Sequence, residues 1–472
     1  MGDLHRLGGP ARRVLMARAA STSVFLSTLF IVVYGSTNWF TAHRSNDAVK
    51  TWYFAWEPTV IPYVPLLIVP YMSMDLFFFM APFLCHNKRE ILVFARRVVF
   101  SILTAAVFFL LLPLRLAWPA RPAVGGWFGD FVEKSCTAPF LMEYPHNLFP
   151  ALHIVLCLIV ADVYGRHTRG IVRVLSYTWF GLIGISTVLT WQHHLVDVAG
   201  GFVVAGFAFY LFREGTVRLP VVANYRIGCW YAVGAVVSLI LAWTIWPWGA
   251  FLLWPAAALA TVGAAYFGLG PGVFRKADGR LPLSTRFVLA PVLIGQYLSL
   301  AYYRRRCRAW DQVAQGVLIG RILTKAEAAD AVSQGVTAVL DLTAEFTEAA
   351  PFREIRYRNL PILDLTAPTL EQLREAVAFI KEEAADGRVY LHCKIGYSRS
   401  AAVVGAYLLA SHEAATLADV LARLYEARPS IIIRPEAMES LRLFARSGPC
   451  GTQRPMVGSM GCHQLDHFLG TP

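Results

Sequence analysis

The sequence predicts a multi-pass α-helical membrane domain followed by an α/β layered domain. Three observations predict it. Hydrophobic residues make up 56% of the 472 and charged residues only 16%, with a mean hydropathy of +0.49. That is more apolar surface than a soluble chain of this length needs. Long apolar runs crowd the first 270 residues. Beyond residue 311 charge density rises, and short strand-like runs alternate with amphipathic stretches.

The apolar runs lie near residues 20–40, 59–84, 95–114, 148–164, 170–190, 195–213, 228–247 and 249–270. Each approaches or exceeds the length of a spanning helix. Basic residues mark alternate connections. Arg6, Arg12, Arg13 and Arg18 precede the first run; Lys88, Arg89, Arg96 and Arg97 follow the second. Arg166, Arg169 and Arg173 follow the fourth, and Arg213, Arg218 and Arg226 the sixth. The bias places the N-terminus and these connections in the cytoplasm. A net charge of +12 fits contact with anionic lipid, not nucleic acid. The apolar stretch 287–303 is followed by Arg304, Arg305, Arg306 and Arg308. A spanning role would put those arginines outside, so the stretch is expected to lie at the interface. Residues 271–311 form a basic joint, and the Gly-, Ser- and Pro-containing tail 447–472 is expected to be disordered.

Within the second half, Val317 to Ile319 and Val336 to Leu342 read as strands. Lys325 to Ser333, Thr369 to Ala385 and Leu417 to Ala427 read as helices. Val389 to Leu391 reads as a buried strand and Ser400 to Ala410 as a helix, with a loop between them. That loop contains Cys393, Lys394, Ile395, Gly396, Tyr397, Ser398, Arg399 and Ser400. Its backbone N–H groups would converge at a helix N-terminus, a ready anion site. The same field lowers a cysteine pKa, so Cys393 would be a thiolate able to attack phosphorus. The planar fork of Arg399 fits two phosphoryl oxygens. Gly396 permits a turn that a side chain would hinder. Ser400 can donate to the departing sulfur.

On His392, Cys393, Gly396, Arg399, Ser400 and the Arg428-Pro429-Ser430 segment, residues 312–446 resemble the dual-specificity phosphatases of the cysteine-dependent tyrosine phosphatase superfamily. The resemblance implies an α/β fold, a cysteinyl-phosphate intermediate and an Asp proton donor some thirty residues upstream. Asp364 matches that donor, with a turn carboxylate or helix cap as its other reading; Asp341, in a strand-like run, is the runner-up and reads better as structural. Lys394 adds a second cation beside the nucleophile. Cys-Lys-x-Gly is more similar to lipid and phosphoinositide phosphatases than to protein phosphatases, although a solvated lysine reads equally well.

A second constellation sits among the apolar runs. His153 begins the fourth run, and His193 and Asp197 stand four apart after the fifth, one helical turn on one face. An Asp can fix one imidazole nitrogen and leave the other free to attack phosphorus. His153 could then protonate the leaving oxygen. The pattern resembles the type 2 phosphatidic acid phosphatase superfamily over residues 58–215, near its sphingomyelin and inositol phosphorylceramide synthase branch. The resemblance implies a six-helix core, with two extra spans here. Ala151 and Leu152 stand where that superfamily often has Ser-Gly, Ser186-Thr187 where it has Ser-Arg, and Leu114 where it has Lys. Arg121-Pro122 meets the first motif in part, as a phosphate contact or an interfacial anchor. Both hydrolysis and headgroup transfer stay open.

The expectation is a bifunctional phosphoric monoester hydrolase in the inner (plasma) membrane of a bacterium, its second domain cytoplasmic. Phosphorylated lipid is the expected substrate, a phosphoprotein the alternative, with no cofactor, metal or nucleic acid.

Overall fold

The computed structural model describes residues 9–43, 49–137, 146–213, 219 and 221–447. Arg6, Arg218 and the tail beyond residue 447 lie outside the described residues. The chain divides into two compact units, Met1–Ala301 with Ala344–Thr347, and Tyr302–Thr343 with Glu348–Pro472. The division falls between Ala301 and Tyr302, inside the stretch that reads as a joint.

The first unit is helical. Its elements are α1 (Gly9–Ala42), α2 (Glu57–Val60), α3 (Ile68–Leu84), α4 (Lys88–Leu111), α5 (Gly126–Thr137) and α6 (Leu152–His167). They continue with α7 (Gly170–Leu189), α8 (Leu195–Leu211), α9 (Tyr225–Thr244), α10 (Leu253–Ala264) and α11 (Leu283–Val288). Helix α12 (Ala290–Arg304) runs across the division. Among the described residues, six helices are long and apolar enough to cross a membrane. Helices α6 and α8 have 16 and 17 residues, about 24–26 Å at 1.5 Å per residue, just short of a hydrocarbon core of about 30 Å. The apolar run at 148–164 loses its first turn because Phe149 precedes Pro150, which holds it out of the helical region. Helix α12, with 15 residues, is shorter still.

Met74, Phe78, Phe94, Ile102, Val155, Ile159, Phe180 and Ile183 interlock α3, α4, α6 and α7. The outer surface stays apolar: Leu76, Leu103, Leu175 and Ile240 are exposed. Water would penalise such a sheath heavily. At one end Arg97 donates to Asp162 at 2.8 Å and to the Phe212 carbonyl at 2.9 Å, so the buried guanidinium is neutralised.

The second unit is an α/β domain around a five-stranded sheet. Its strands are β1 (Trp310–Ala314), β2 (Val317–Arg321), β3 (Ala338–Thr343), β4 (Arg356–Ile362) and β5 (Val389–Cys393), in the order β1-β2-β5-β3-β4. Only β1 runs antiparallel to its neighbour. The helices are α13 (Lys325–Ser333), α14 (Ala350–Arg353), α15 (Leu370–Ala384), α16 (Ser398–Ala410), α17 (Leu417–Ala427) and α18 (Pro435–Ser447). Strand β5 is central and wholly buried, as a continuous apolar run in a two-sided parallel sheet should be. Leu340, Leu391 and Val317 face α15 and α16, while Leu318, Val339 and Tyr390 face α13 and α14. Capping boxes at Thr324/Glu327, Thr369/Gln372 and Thr416/Asp419 fix the starts of α13, α15 and α17.

Candidate active site

Strand β5 ends at Cys393 and α16 begins at Ser398, so the loop between them folds over the N-terminus of a 13-residue helix. Gly396 has φ +72°, and a Cβ there would sit 2.5 Å from the Gly320 carbonyl oxygen. Glycine is therefore needed both for the backbone region and for the approach to β2. Cys393 is 3% exposed. Burial pushes its thiol up, but the Arg399 guanidinium, the Ser400 hydroxyl, and the N–H groups of Ser400 and Ile395 more than offset this. The net direction is down, which favours thiolate.

Arg399 is held on its other side. One guanidinium nitrogen donates to the Ile362 carbonyl at 2.8 Å and the other to Asp364 Oδ1 at 3.0 Å. Lys394 Nζ donates to Asp364 Oδ2 at 3.3 Å. The structure thus gathers Cys393, Lys394, Arg399, Ser400 and Asp364 around one loop. Burial raises the Asp364 carboxyl, but Arg399 and then Lys394 hold it below its ordinary value. Leu365, with φ +57°, turns the chain directly after it, and its N–H donates to Asp364 Oδ1 at 3.1 Å.

Three residues that the motif includes, His392, Arg428 and Ser398, support the loop through partners the sequence does not reveal. His392 is fully buried, with Nε2 2.8 Å from Glu348 Oε2 and 3.8 Å from Asp341 Oδ1. These three groups bring ligand-type atoms within 4.8 Å. Three of the four carboxylate oxygens are already engaged: Thr343 donates twice to Asp341 Oδ1 and Tyr357 once to Oδ2, and Ala349 donates to Glu348 Oε1, while Glu348 Oε2 faces His392. The cluster therefore reads as a polar anchor behind the nucleophile. Arg428 forms the second support. It donates to Asp311 at 2.6 Å, to the Arg308 carbonyl at 2.9 Å and to the Ile395 carbonyl at 3.3 Å. The third is Ser398, whose Oγ accepts from the Arg434 N–H at 3.0 Å. Arg428→Ala removes the buried guanidinium that joins Asp311 to the Arg308 and Ile395 carbonyls and leaves Asp311 only the exposed Arg308, at 3.1 Å, an expected loss of about 2 kcal/mol. The check is an earlier midpoint for thermal inactivation of phosphate release.

In the helical unit, the starts of α6 and α8 meet. The Ala151 N–H donates to the Asp197 carbonyl at 2.9 Å. Gly201 allows this approach, since a Cβ there would lie 2.8 Å from the Ala151 carbonyl oxygen. His153 stacks on Tyr71 with centroids 4.2 Å apart, and its Nδ1 lies 3.4 Å from the Tyr71 hydroxyl. His193 Nδ1 lies 3.6 Å from Asp197 Oδ2. The two are not on one helical face, as the spacing suggests, because α8 starts only at Leu195 and His194 takes the N-cap position. Asp197 Oδ2 instead accepts the His194 N–H at 2.9 Å, a helix-cap interaction that wins locally. Arg121 donates to the Trp191 carbonyl at 3.2 Å, two residues from His193.

His194, not singled out by the pattern, is a structural post. Its Nδ1 meets Glu57 Oε2 at 2.7 Å, its Nε2 accepts the Ala117 N–H at 3.1 Å, and Trp118 stacks on its ring. Together these tie the 113–121 segment to the turn bearing His193. Glu57, an acid at the mouth of an apolar run, was the available signal.

Residues 323–447 match the family model for the dual specificity phosphatase, catalytic domain. The chain is 29% identical over 146 residues to the phosphatidylglycerophosphate phosphatase PTPMT2 of Arabidopsis thaliana, covering 29% of this chain and 64% of that protein. It is 39% identical over 111 residues to dual specificity protein phosphatase 19 of Mus musculus, covering 23% and 50%. It is also 39% identical over 88 residues to the phosphatidylglycerophosphatase and protein-tyrosine phosphatase 1 of Mus musculus, covering 18% and 45%. The chain thus spans about half to two thirds of the length of these relatives, and the residues before 323 fall outside the family match. With the thiol, guanidinium and carboxyl assembled at the end of β5, residues 323–447 are a dual-specificity phosphatase catalytic domain.

Proposed function

We propose that this protein is a membrane-embedded phosphatase that removes monoester phosphate from lipids through a cysteinyl-phosphate intermediate. The observation that carries the reading is the Cys393 thiol held down by Arg399, with Asp364 bridging Arg399 and Lys394. The thiolate attacks phosphorus as the P–O bond to the lipid alcohol breaks. Asp364 gives that oxygen its proton. Water then cleaves the S–P bond, and Ser400 donates to the leaving sulfur. Arg399 and the loop N–H groups carry the growing negative charge. Lys394 adds a second cation, which suits a phospholipid with a phosphodiester beside its monoester. Two relatives named for phosphatidylglycerophosphate favour that class, and the apolar helices would hold the domain at a bilayer. Phosphoprotein hydrolysis is the competing reading, favoured by the name of the mouse dual specificity relative.

The membrane unit is proposed as a second centre on the outer face, the catalytic domain lying in the cytoplasm. His193 attacks phosphorus, Asp197 orients the ring, His153 protonates the leaving oxygen and Arg121 offsets charge; water or a lipid alcohol then takes the phosphoryl group. The meeting of the α6 and α8 starts, with His193 beside Asp197, favours this.

Phosphate release from phosphatidylglycerophosphate vesicles and from a phosphotyrosine peptide separates the readings. A kcat/KM at least about tenfold higher for the lipid is expected, since one added charged contact contributes a factor of ten for 1.4 kcal/mol. Peptide preference would overturn the lipid assignment. In a Cys393→Ser background, which silences the thiolate site, His193→Ala should remove the remaining release from phosphatidate, and on its own it should leave peptide hydrolysis intact; undiminished phosphatidate hydrolysis in the double variant would remove the second centre.

A further inference from the structure

A cavity of about 210 Å³ lies between α4, α8 and α10, with walls that include Phe108, Phe149, Pro150, Gly200, Phe251 and Trp254. Its lining is almost wholly apolar. The Trp254 indole N–H is already spent on the Val288 carbonyl at 2.9 Å, and Thr104 supplies the one side-chain hydroxyl of the lining. A polar guest would lose its hydrogen bonds to water with nothing in return.

Position narrows the guest further. Phe149 and Pro150 lead directly into α6, where His153 is the second helical residue, and Gly200 lies one turn beyond Asp197. The cavity is therefore built on the same two helix starts that carry the histidines. Gly200 keeps it in shape: a Cβ there would stand 2.3 Å from the Phe149 ring. Helices α4 and α10 belong to segments long and apolar enough to span, so the cavity lies at the depth of hydrocarbon.

We propose that this cavity holds one acyl chain of the phospholipid whose phosphate meets His193. The inference rests on the membrane-centre reading and extends it: the substrate must carry a long hydrocarbon chain as well as a monoester phosphate. The chain enters sideways from the bilayer, and the headgroup stays at the helix starts beside Arg121. Seating the chain fixes the distance from phosphorus to imidazole, so binding energy remote from the reacting atoms is used to orient them.

The test uses the full protein in lipid nanodiscs with phosphatidate bearing a mid-chain diazirine, followed by mass spectrometry of the photo-labelled peptides. Label is expected on the peptides containing Phe108, Phe251 or Trp254. Ala257→Phe, which fills the cavity from α10, should cut that labelling at least fivefold. Ile240→Phe, on the exposed face of α9, should leave it unchanged. An unaltered thermal inactivation midpoint for Ala257→Phe, or the smaller Ala257→Val if Phe does not fold, shows that loss of label reflects filling. Label confined to outward residues such as Leu103, or undiminished in Ala257→Phe, overturns the proposal. His193→Ala is measured alongside in a Cys393→Ser background, so that the thiolate site does not contribute: full label with unchanged phosphatidate hydrolysis would overturn the catalytic centre and leave the cavity assignment standing.

Discussion

Cys393→Ser is expected to lower kcat for phosphotyrosine peptide by a factor on the order of 10³ or more, as removal of a covalent nucleophile does elsewhere. Substrate affinity should survive, because Arg399 and the loop N–H groups are untouched. The variant should therefore bind phosphopeptide without turning it over, and peptide retention on the immobilised full protein checks this. The same geometry sets a pH dependence. The wild-type thiol lies below its ordinary value because Arg399 and the surrounding donors outweigh burial. A group lowered in this way stays anionic above its folded pKa, so the acidic limb of kcat/KM should fall below the usual thiol value of about 8.5. Arg399→Lys replaces a fork bonded to Ile362 and Asp364 with a point charge. That limb should move up in pH, along with the midpoint of iodoacetamide alkylation of Cys393. An unmoved midpoint would show that Arg399 does not hold the thiolate.

The nucleophilic loop was readable because its chemistry is local in sequence. Cys393, Gly396, Arg399 and Ser400 lie within eight residues, and the strand before and helix after them follow from periodicity alone. Helices α13 and α17 begin and end at the residues expected from their patterns, where capping boxes agree with the apolar stripe. Strand β4 was not anticipated, because Arg356, Arg358 and Asn359 give an edge strand little apolar content. Glu348 was equally hidden: its partner His392 is 44 residues away, and only the alignment of β3 and β5 brings them together. In the helical unit the placement of His153 and His193 at helix ends was legible from span counting. The role of His194 was not, since two adjacent histidines look alike until Glu57 and Ala117 claim one of them.

Asp364→Asn is expected to reduce kcat on a lipid phosphate by about 10²–10³, within the usual range for a lost general acid. In the free protein Asp364 is poorly placed to be an acid, because Arg399 and Lys394 outweigh burial and hold it ionised. A bound phosphate dianion competes for those same two cations. Once they turn to phosphoryl oxygens, burial is no longer offset, and the nearby negative charge raises the carboxyl further. Substrate would thus create the acid it needs. The sign follows directly: an alkaline limb appears in kcat above the free-protein carboxyl value, and Asp364→Asn removes it. The leaving group supplies an independent check. A nitrophenolate departs without a proton, whereas the alcohol of a glycerolipid cannot. The Asn variant should therefore lose at least about tenfold more activity on the lipid than on 4-nitrophenyl phosphate, the 1.4 kcal/mol that protonating the poorer leaving group should contribute at minimum. Equal losses on the two substrates would make Asp364 a brace for Arg399 and Lys394, with the proton coming from elsewhere.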